Sequence, residues 1–260
     1  MKNIFIKVLM ENLFIKNREG NKIALNLTKI KPQKGLVFVM PGLGQTKSAI
    51  HMQNFVDSFA DKNFTVVIFD VTNGVGQSDG DYSQASFTGY YNDLADVIDW
   101  AKTQDWYQEP FVLAGHSMGG GCILRYAADY LARVSGIVPF ATVIGGHQTI
   151  AKFGRDDLPA IKIENGKEVI KKLDWEPFKE DILKYDIVPE ADKFTMPILM
   201  MVGEEDMGTP LEDQMKLYDG MPEDKEIHVV KGAPHTFEKP EHLAKMKQIL
   251  QDWIDNKLKN

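Results

Sequence analysis

Six short apolar runs recur along this 260-residue chain, and helical patterns separate most of them. Runs that are this short and almost continuously apolar are typical of strands buried on both faces of a parallel sheet. They cover residues 36–40, 65–69, 111–114, 135–138, 198–202 and 226–230. The helical patterns cover residues 48–62, 88–103, 118–131, 211–218 and the stretch after Pro240. The alternation predicts an α/β fold, in which right-handed crossovers place helices on both faces of a mostly parallel sheet.

The first 30 residues follow a different pattern, which is typical of antiparallel strands. Two short apolar runs cover residues 4–9 and 13–16, a turn follows at 18–21, and a third run covers 23–30. We therefore expect an antiparallel start to the sheet before the crossovers begin.

Composition restricts the class of protein. The length of 260 residues allows one large domain or two small ones. We expect a single domain over residues 1–260, because the candidate site described below takes residues from Leu43 to His235. The net charge of −7 gives no electrostatic footprint for polyanions, so we expect no binding of nucleic acid. Cys122 is the one cysteine in the sequence, which excludes an internal disulfide and a multi-cysteine metal site and fits a reducing compartment. With no apolar run long enough to span a membrane and no signal-peptide pattern, we expect a cytoplasmic protein.

One crossover is much longer than a single helix requires. Between Pro139 and Met196 there are about 57 residues, and residues 151–195 include 20 charged side chains among 45. Alternating residues around Asn165-Gly166 predict a β-hairpin over residues 161–170. The segment is either a solvated surface excursion or a lid over a site, and we assign residues 141–195 as an inserted lid.

The strongest motif is the G-x-S-x-G sequence of residues 115–119. A predicted buried strand ends at Ala114 and a helical pattern begins at Met118, so Ser117 lies on a strand-to-helix turn. Such a turn projects the serine hydroxyl away from the sheet, next to the partial positive charge of a helix N-terminus. The alternative is a glycine-rich turn with a capping serine. The context favours a nucleophile.

A neutral serine needs a base, and the base needs an acid that fixes its tautomer. His235 follows the last predicted strand, at the sheet edge where open α/β folds build their sites. A lone histidine is more often structural, but this one has the required edge and chain order. Asp206 follows the preceding strand and is the best candidate acid, whereas Glu204 and Glu205 are expected to be solvated. The order Ser117, Asp206, His235 is that of a nucleophile-elbow triad.

An oxyanion hole and a substrate pocket are expected near the same edge. Gly42 and Leu43 follow the strand at 36–40, so the Leu43 amide could bind an oxyanion together with the Met118 amide. A plain strand-to-helix turn would need the same glycines. Gly42, His116 and Met207 are further candidate substrate-binding residues, because each adjoins one of these loops.

The chain resembles the serine hydrolases of the α/β-hydrolase superfamily over residues from about 20 to 258. The motifs are those at 41–44, 69–80, 115–119, 203–210 and 232–235, although Pro41 replaces a histidine that many relatives have. The resemblance implies the α/β-hydrolase fold, with a mostly parallel eight-stranded sheet, helices on both faces and a small lid. It also implies Ser117 as nucleophile, His235 as base, Asp206 as acid, and the Leu43 and Met118 amides as oxyanion donors.

The insertion resembles that of the cinnamoyl and feruloyl esterases, through its hairpin and residues 175–178 and 185–186. Monoacylglycerol lipase-like and serine aminopeptidase-like members share the site loops. We expect hydrolysis of small or aryl esters, including hydroxycinnamoyl esters, through an acyl-enzyme and without metal or cofactor. An aminopeptidase, an acyltransferase or lipase with the same triad, and a non-catalytic binding protein are the alternatives. A small-molecule ester is the expected partner, and a homodimer is compatible with the sequence.

Overall fold

A single sheet of eight strands forms the centre of the molecule, described here for residues 7–153 and 158–258 of a computed structural model. The strand order is β1-β2-β4-β3-β5-β6-β9-β10. β1 pairs antiparallel with β2 and β2 with β4, and all other pairs are parallel. The strands are β1 (Lys7–Lys16), β2 (Lys22–Lys31), β3 (Gly35–Met40), β4 (Phe64–Phe69), β5 (Phe111–His116), β6 (Val134–Phe140), β9 (Ile198–Gly203) and β10 (Lys225–Val230).

Helices cover both faces of the sheet, because alternate residues of its inner strands are apolar on each side. In β3, Phe38 belongs to one core and Val39 to the other. The helices α1 and α7 pack on the side of Val39, and α2, α3 and α6 on the side of Phe38. These helices are α1 (Ile50–Ala60), α2 (Phe87–Ala101), α3 (Met118–Asp129), α6 (Leu211–Gly220) and α7 (Pro240–Lys257).

The segment between β6 and β9 has its own secondary structure. It contains α4 (Gly146–Phe153), a separate antiparallel pair formed by β7 (Ala160–Glu164) and β8 (Lys167–Lys171), and α5 (Trp175–Ile182). The hairpin turns at Asn165 and Gly166, which have φ angles of 52° and 74°. Left-handed backbone of this kind favours asparagine and glycine, so the turn predicted from those two residues is confirmed.

The predicted N-terminal strands need a correction. Two of the predicted runs belong to one strand, β1, which includes residues 7–9 and 13–16. Met10 and Asn12 continue the ladder between them, opposite Thr28 and Asn26. The beginning of the predicted run at 4–9 lies outside the described residues. In the part of the chain that the structure covers, no helix is long and apolar enough to cross a membrane.

Candidate active site

Ser117 lies on a strained turn between β5 and α3. Its φ of 53° and ψ of −118° are rarely adopted by a residue with a side chain, and strain of this kind clusters at functional sites. The flanking glycines are needed because the backbone is crowded: a Cβ on Gly115 would lie 2.6 Å from the Gly119 carbonyl oxygen. A Cβ on Gly119 would lie 2.4 Å from the Pro41 carbonyl oxygen. The G-x-S-x-G spacing therefore has a steric cause here.

The strained turn is held by backbone hydrogen bonds to the neighbouring strand. The amide of Ser117 donates to the Phe140 carbonyl over 2.9 Å, and the Val143 amide donates to the Ser117 carbonyl over 3.0 Å. Both partners belong to the end of β6 and the loop after it. The surrounding sheet thus fixes the direction in which the Ser117 hydroxyl points.

Ser117, His235 and Asp206 form one hydrogen-bonded chain across three loops. The Nε2 atom of His235 lies 3.0 Å from the Ser117 Oγ, and its Nδ1 lies 2.9 Å from the Asp206 Oδ2. These are hydrogen-bonding distances, and they connect a hydroxyl, an imidazole and a carboxylate in the order required to activate a nucleophile. The structure brings together the three residues that the motifs predict.

Asp206 is buried, yet it is surrounded by donors. Its Oδ1 accepts hydrogen bonds of 2.9 Å from the amides of Gly208 and Thr209, and its Oδ2 accepts one of 2.9 Å from the Thr209 hydroxyl. Burial alone raises the pKa of a carboxyl group, but the bonds from His235 and Thr209 outweigh it and hold the pKa of Asp206 below its ordinary value. Asp206 is therefore ionised at neutral pH.

The two residues predicted to bind an oxyanion lie beside Ser117. Leu43 and Met118 both line the cavity into which Ser117 opens. Met118 is the first residue of α3, so its amide has no acceptor within the helix. Gly42 passes directly against Ser117, since a Cβ there would lie 2.9 Å from the Cβ of Ser117. This arrangement is compatible with an oxyanion hole.

A buried ion pair supports the loop that carries Leu43. The Lys47 ammonium lies 2.7 Å from the Asp70 carboxylate, and the two side chains are 5% and 2% exposed. Asp70 also accepts hydrogen bonds from the backbone amides of Lys47, over 2.8 Å, and of Gln77, over 2.9 Å. Asp70 thereby connects the loop after β3 to the loop after β4.

The cavity next to Ser117, which we call the inner cavity, has a volume of about 160 Å³. Its walls come from the loop after β3, the start of α3, Tyr82, His235 and the insertion, and they are mostly apolar. They include Leu43, Tyr82, Met118, Thr149, Phe178 and Ile182. Among the described residues, the lining contains no carboxylate and no Lys or Arg side chain. The same part of the chain contains no cluster of three or more His, Cys, Asp or Glu side chains suited to a metal ion.

None of the three predicted substrate-binding residues, Gly42, His116 and Met207, is among the described residues that line this cavity. His116 is 1% exposed and lies beneath Ser117, with its ring against His51 and Phe140. Met207 is 82% exposed on the loop after β9. His116 ends β5 on the same face of the sheet as Val112 and Ala114, whose core lies under α1 and α7, whereas Ser117 lies on the turn after the strand.

Comparison with known proteins assigns the family. The family described as serine aminopeptidase, S33, matches residues 31–173, which is more than half of the chain. The chain belongs to this family. As a member of it, the chain is an α/β-hydrolase, and the fold predicted from the sequence is confirmed.

Individual relatives of this S33 family member are distant. The mitochondrial palmitoyl-protein thioesterase ABHD10 of Rattus norvegicus is 23% identical over 260 residues, which is 93% of this chain and 82% of the relative. Est1E from Butyrivibrio proteoclasticus, solved with ferulic acid, is 18% identical with a TM-score of 0.80, covering 95% of this chain and 99% of its own. Mouse ABHD10 is 16% identical with a TM-score of 0.75, and the match covers 94% of this chain and 98% of the mouse chain. At these identities the likeness concerns the fold.

Several residues of the site were not predicted from the sequence. Thr209 contacts both Asp206 and His235. Asp206 and Gly208 are turn-forming residues and indicate a turn there, but they do not indicate the role of the Thr209 hydroxyl. No sequence pattern indicates the role of Lys47, because its partner Asp70 is 23 residues away in the chain. The cavity residues Phe178 and Ile182 also gave none, since their position depends on how the insertion packs.

Proposed function

We propose that this protein is a serine carboxylic-ester hydrolase that acts through an acyl-enzyme. The observation that carries the proposal is the hydrogen-bonded chain from the Ser117 hydroxyl through His235 to Asp206, which opens into the inner cavity. Ser117 would be the nucleophile, His235 the base and Asp206 the acid that orients it. The amides of Leu43 and Met118 would bind the oxyanion.

The reaction proceeds in two halves. The Ser117 Oγ bonds to the ester carbonyl carbon while its proton moves to the His235 Nε2, and the carbonyl oxygen becomes an anion held by the two amides. The intermediate then expels the alcohol, which takes the proton from His235. Water attacks the acyl-enzyme and gives a proton to His235, which returns it to the Ser117 Oγ as the acid leaves. Asp206, ionised, stabilises the imidazolium in both halves.

Small or aryl acyl groups fit the inner cavity best. Its volume of about 160 Å³ is limited, and Tyr82 and Phe178 give it aromatic walls suited to a planar acyl group. The solved neighbour Est1E binds ferulic acid, which makes hydroxycinnamoyl esters the first substrates to test.

The insertion of residues 141–195 would act as the lid of this single domain. It contributes Thr149, Phe178 and Ile182 to the inner cavity, so its packing defines the space available to the acyl group. The homodimer stays a prediction. The cytoplasmic location also stays a prediction, and the names of the ABHD10 relatives assign those proteins to mitochondria.

An aminopeptidase is the second candidate, since the family model carries that description. Binding a free α-amino group would require a carboxylate near the nucleophile, and the described lining of the inner cavity has none. A thioesterase is the third candidate, because the ABHD10 relatives are palmitoyl-protein thioesterases and a thioester can be attacked by the same serine. Monoacylglycerol lipase-like and acyltransferase activities would also use this triad.

The test combines one variant with a substrate panel. The rates of wild-type protein and Ser117→Ala are measured on methyl ferulate, aryl acetates, monoacylglycerols, acyl thioesters and aminoacyl amides. We expect the highest kcat/KM on the aryl esters and a loss of several orders of magnitude in Ser117→Ala. Labelling by a fluorophosphonate at Ser117 is a second measurement. Unchanged ester turnover in Ser117→Ala would refute the proposal, and preference for aminoacyl amides would favour the aminopeptidase.

A further inference from the structure

A second, larger cavity lies beside the inner cavity, and we call it the outer groove. Its volume is about 700 Å³. One wall is the loop after β3 together with the residues that lead into α1, and the other is the hairpin of β7 and β8. The described lining includes Gly44, Thr46, Pro159, Ile161, Ile163 and Ile170, and none of its described members is charged.

Three isoleucines of the hairpin face this groove while remaining open to solvent. Ile161, Ile163 and Ile170 are 56%, 61% and 69% exposed. Ile161 is paired directly with Ile170 across the two strands, and Ile163 lies two residues further along β7, so all three are on one face. An exposed cluster of this kind marks a surface that binds an apolar partner.

The wall between the outer groove and the inner cavity is thin. Pro159 lines both spaces. On the opposite side, Leu43 lines the inner cavity and the next residue, Gly44, lines the groove. The loop and the insertion meet there, since a Cβ on Gly44 would lie 3.0 Å from the Cβ of Ala160. The Tyr82 hydroxyl donates to the Leu158 carbonyl over 3.1 Å at the same place. The two spaces are therefore adjacent, and these contacts between the loop after β3, Tyr82 and the insertion separate them.

We propose that the outer groove binds the unbranched alkyl chain of the leaving alcohol. This rests on the proposed ester hydrolysis. An alcohol is released while the acyl group is still bound to Ser117, so the acyl group suits the more closed inner cavity and the alcohol suits the space that is open to solvent. The polar members of the described lining, Gln45, Thr46 and Ser48, lie between β3 and α1, whereas the isoleucines of the hairpin form an apolar wall without charges. Such a wall favours an alkyl chain over a sugar or a charged peptide.

The chain-length dependence of the rate tests this. Full burial of a methylene corresponds to about a fourfold gain in affinity, and a half-covered chain in an open groove to about twofold. We expect kcat/KM of the wild-type protein to rise about twofold per methylene from methyl to octyl ferulate. The double variant Ile161→Ser/Ile170→Ser should lose this slope and keep its rate on methyl ferulate.

The matched control is Val8→Ser, which changes an exposed branched residue on the distant strand β1 and should keep the wild-type slope. A parallel series lengthens the acyl chain of aryl esters. A flat alkyl ferulate series in the wild type, an unchanged slope in the double variant, or a dependence on acyl length alone would overturn the proposal.

A binding measurement separates the groove from the catalytic proposal. Octyl glucoside, kept below its critical micelle concentration, is titrated into Ser117→Ala, with methyl glucoside as the comparison. We expect binding of the octyl compound only, and at least a tenfold weaker binding after Ile161→Ser/Ile170→Ser is added. Absence of octyl glucoside binding overturns the groove proposal even if ester hydrolysis is found. If octyl glucoside binds but the wild-type protein hydrolyses no ester, the proposed function is overturned and the groove stays an alkyl-binding site.

Discussion

The Nε2 atom of His116 lies 3.1 Å from the backbone carbonyl oxygen of His235, and the centroids of the two rings are 4.7 Å apart. Burial lowers the pKa of His116 well below its ordinary value, with smaller contributions from His51 and His235 in the same direction. His116 is therefore neutral at neutral pH, and its Nε2–H donates to that carbonyl. His116 thus positions the loop that carries His235.

Replacing His116 by Phe tests this positioning role. Phe keeps an aromatic ring against His51 and Phe140 but removes the donor to the His235 carbonyl. One hydrogen bond of this kind contributes about 1 kcal/mol, so we expect kcat to fall about five- to tenfold while KM stays within twofold. The measurement is steady-state kinetics on an aryl ester. His228→Phe, on the partly exposed end strand β10, is the control, and a kcat equal to wild type in His116→Phe would contradict the role.

The sequence predicted those parts of the fold and the site that depend on local pattern. The strands β3 to β6 are continuous apolar runs, and Ser117, Asp206 and His235 each follow a strand end, so topology alone brings their loops to one edge. The fold is confirmed, and His235 lies within hydrogen-bonding distance of both Ser117 and Asp206.

The remaining parts depend on packing between distant segments. Nothing near Lys47 in the chain indicates that it meets Asp70, and the alternation of side chains in β5 had to be known before His116 could be assigned to the interior. Met207 adjoins Asp206, but the loop turns its side chain to solvent. Adjacency in sequence is a weak guide wherever a turn separates neighbouring side chains.

Stability should fall with acid because of buried His51. Burial, and to a lesser degree His235, lowers the pKa of His51 to about 4, while the unfolded chain titrates near 6.5. Between pH 6.5 and pH 4, His51 is protonated in the unfolded chain but not in the native protein. The free energy of unfolding therefore decreases by about 1.4 kcal/mol for each pH unit of acidification in this range. His116 adds to this in the same direction. Urea unfolding of the wild type and His51→Phe at pH 7.5, 6 and 5 measures it.

His51→Phe should flatten that pH dependence and change stability little at pH 7.5, because the Nε2 of His51 has no hydrogen-bond partner among the described residues. His228→Phe again serves as the comparison, since His228 is partly exposed and next to Glu226. Equal slopes in the wild type and His51→Phe between pH 7.5 and 5 would show that His51 titrates normally.

Thr209 should support the acid of the triad. Its hydroxyl donates to the Asp206 Oδ2 over 2.9 Å and lies 3.3 Å from the His235 Nδ1. Thr209→Val keeps the volume of the side chain and removes the donor, so the Asp206 carboxylate loses one of the bonds that hold its orientation and lower its pKa. We expect kcat to fall several-fold with KM nearly constant. Thr209→Ser, which retains the hydroxyl, should restore most of the activity, and equal rates for Val and Ser would exclude the role of the hydroxyl.

The ion pair of Lys47 and Asp70 should contribute to the free energy of unfolding and should hold the loop after β3, which carries Leu43, in place. Asp70→Asn leaves the Lys47 ammonium buried without its counter-charge, and breaking a buried pair in this way costs about 3–5 kcal/mol. The loop that carries Leu43 should loosen as well, because Asp70 accepts the Lys47 amide. We expect a lower urea midpoint and about a tenfold loss of kcat in the protein that stays folded. Asp99→Asn removes an exposed partner of Lys102 and should shift stability by less than about 1 kcal/mol. If Asp70→Asn unfolds at the same urea concentration as Asp99→Asn, the buried pair does not have the role that its burial implies.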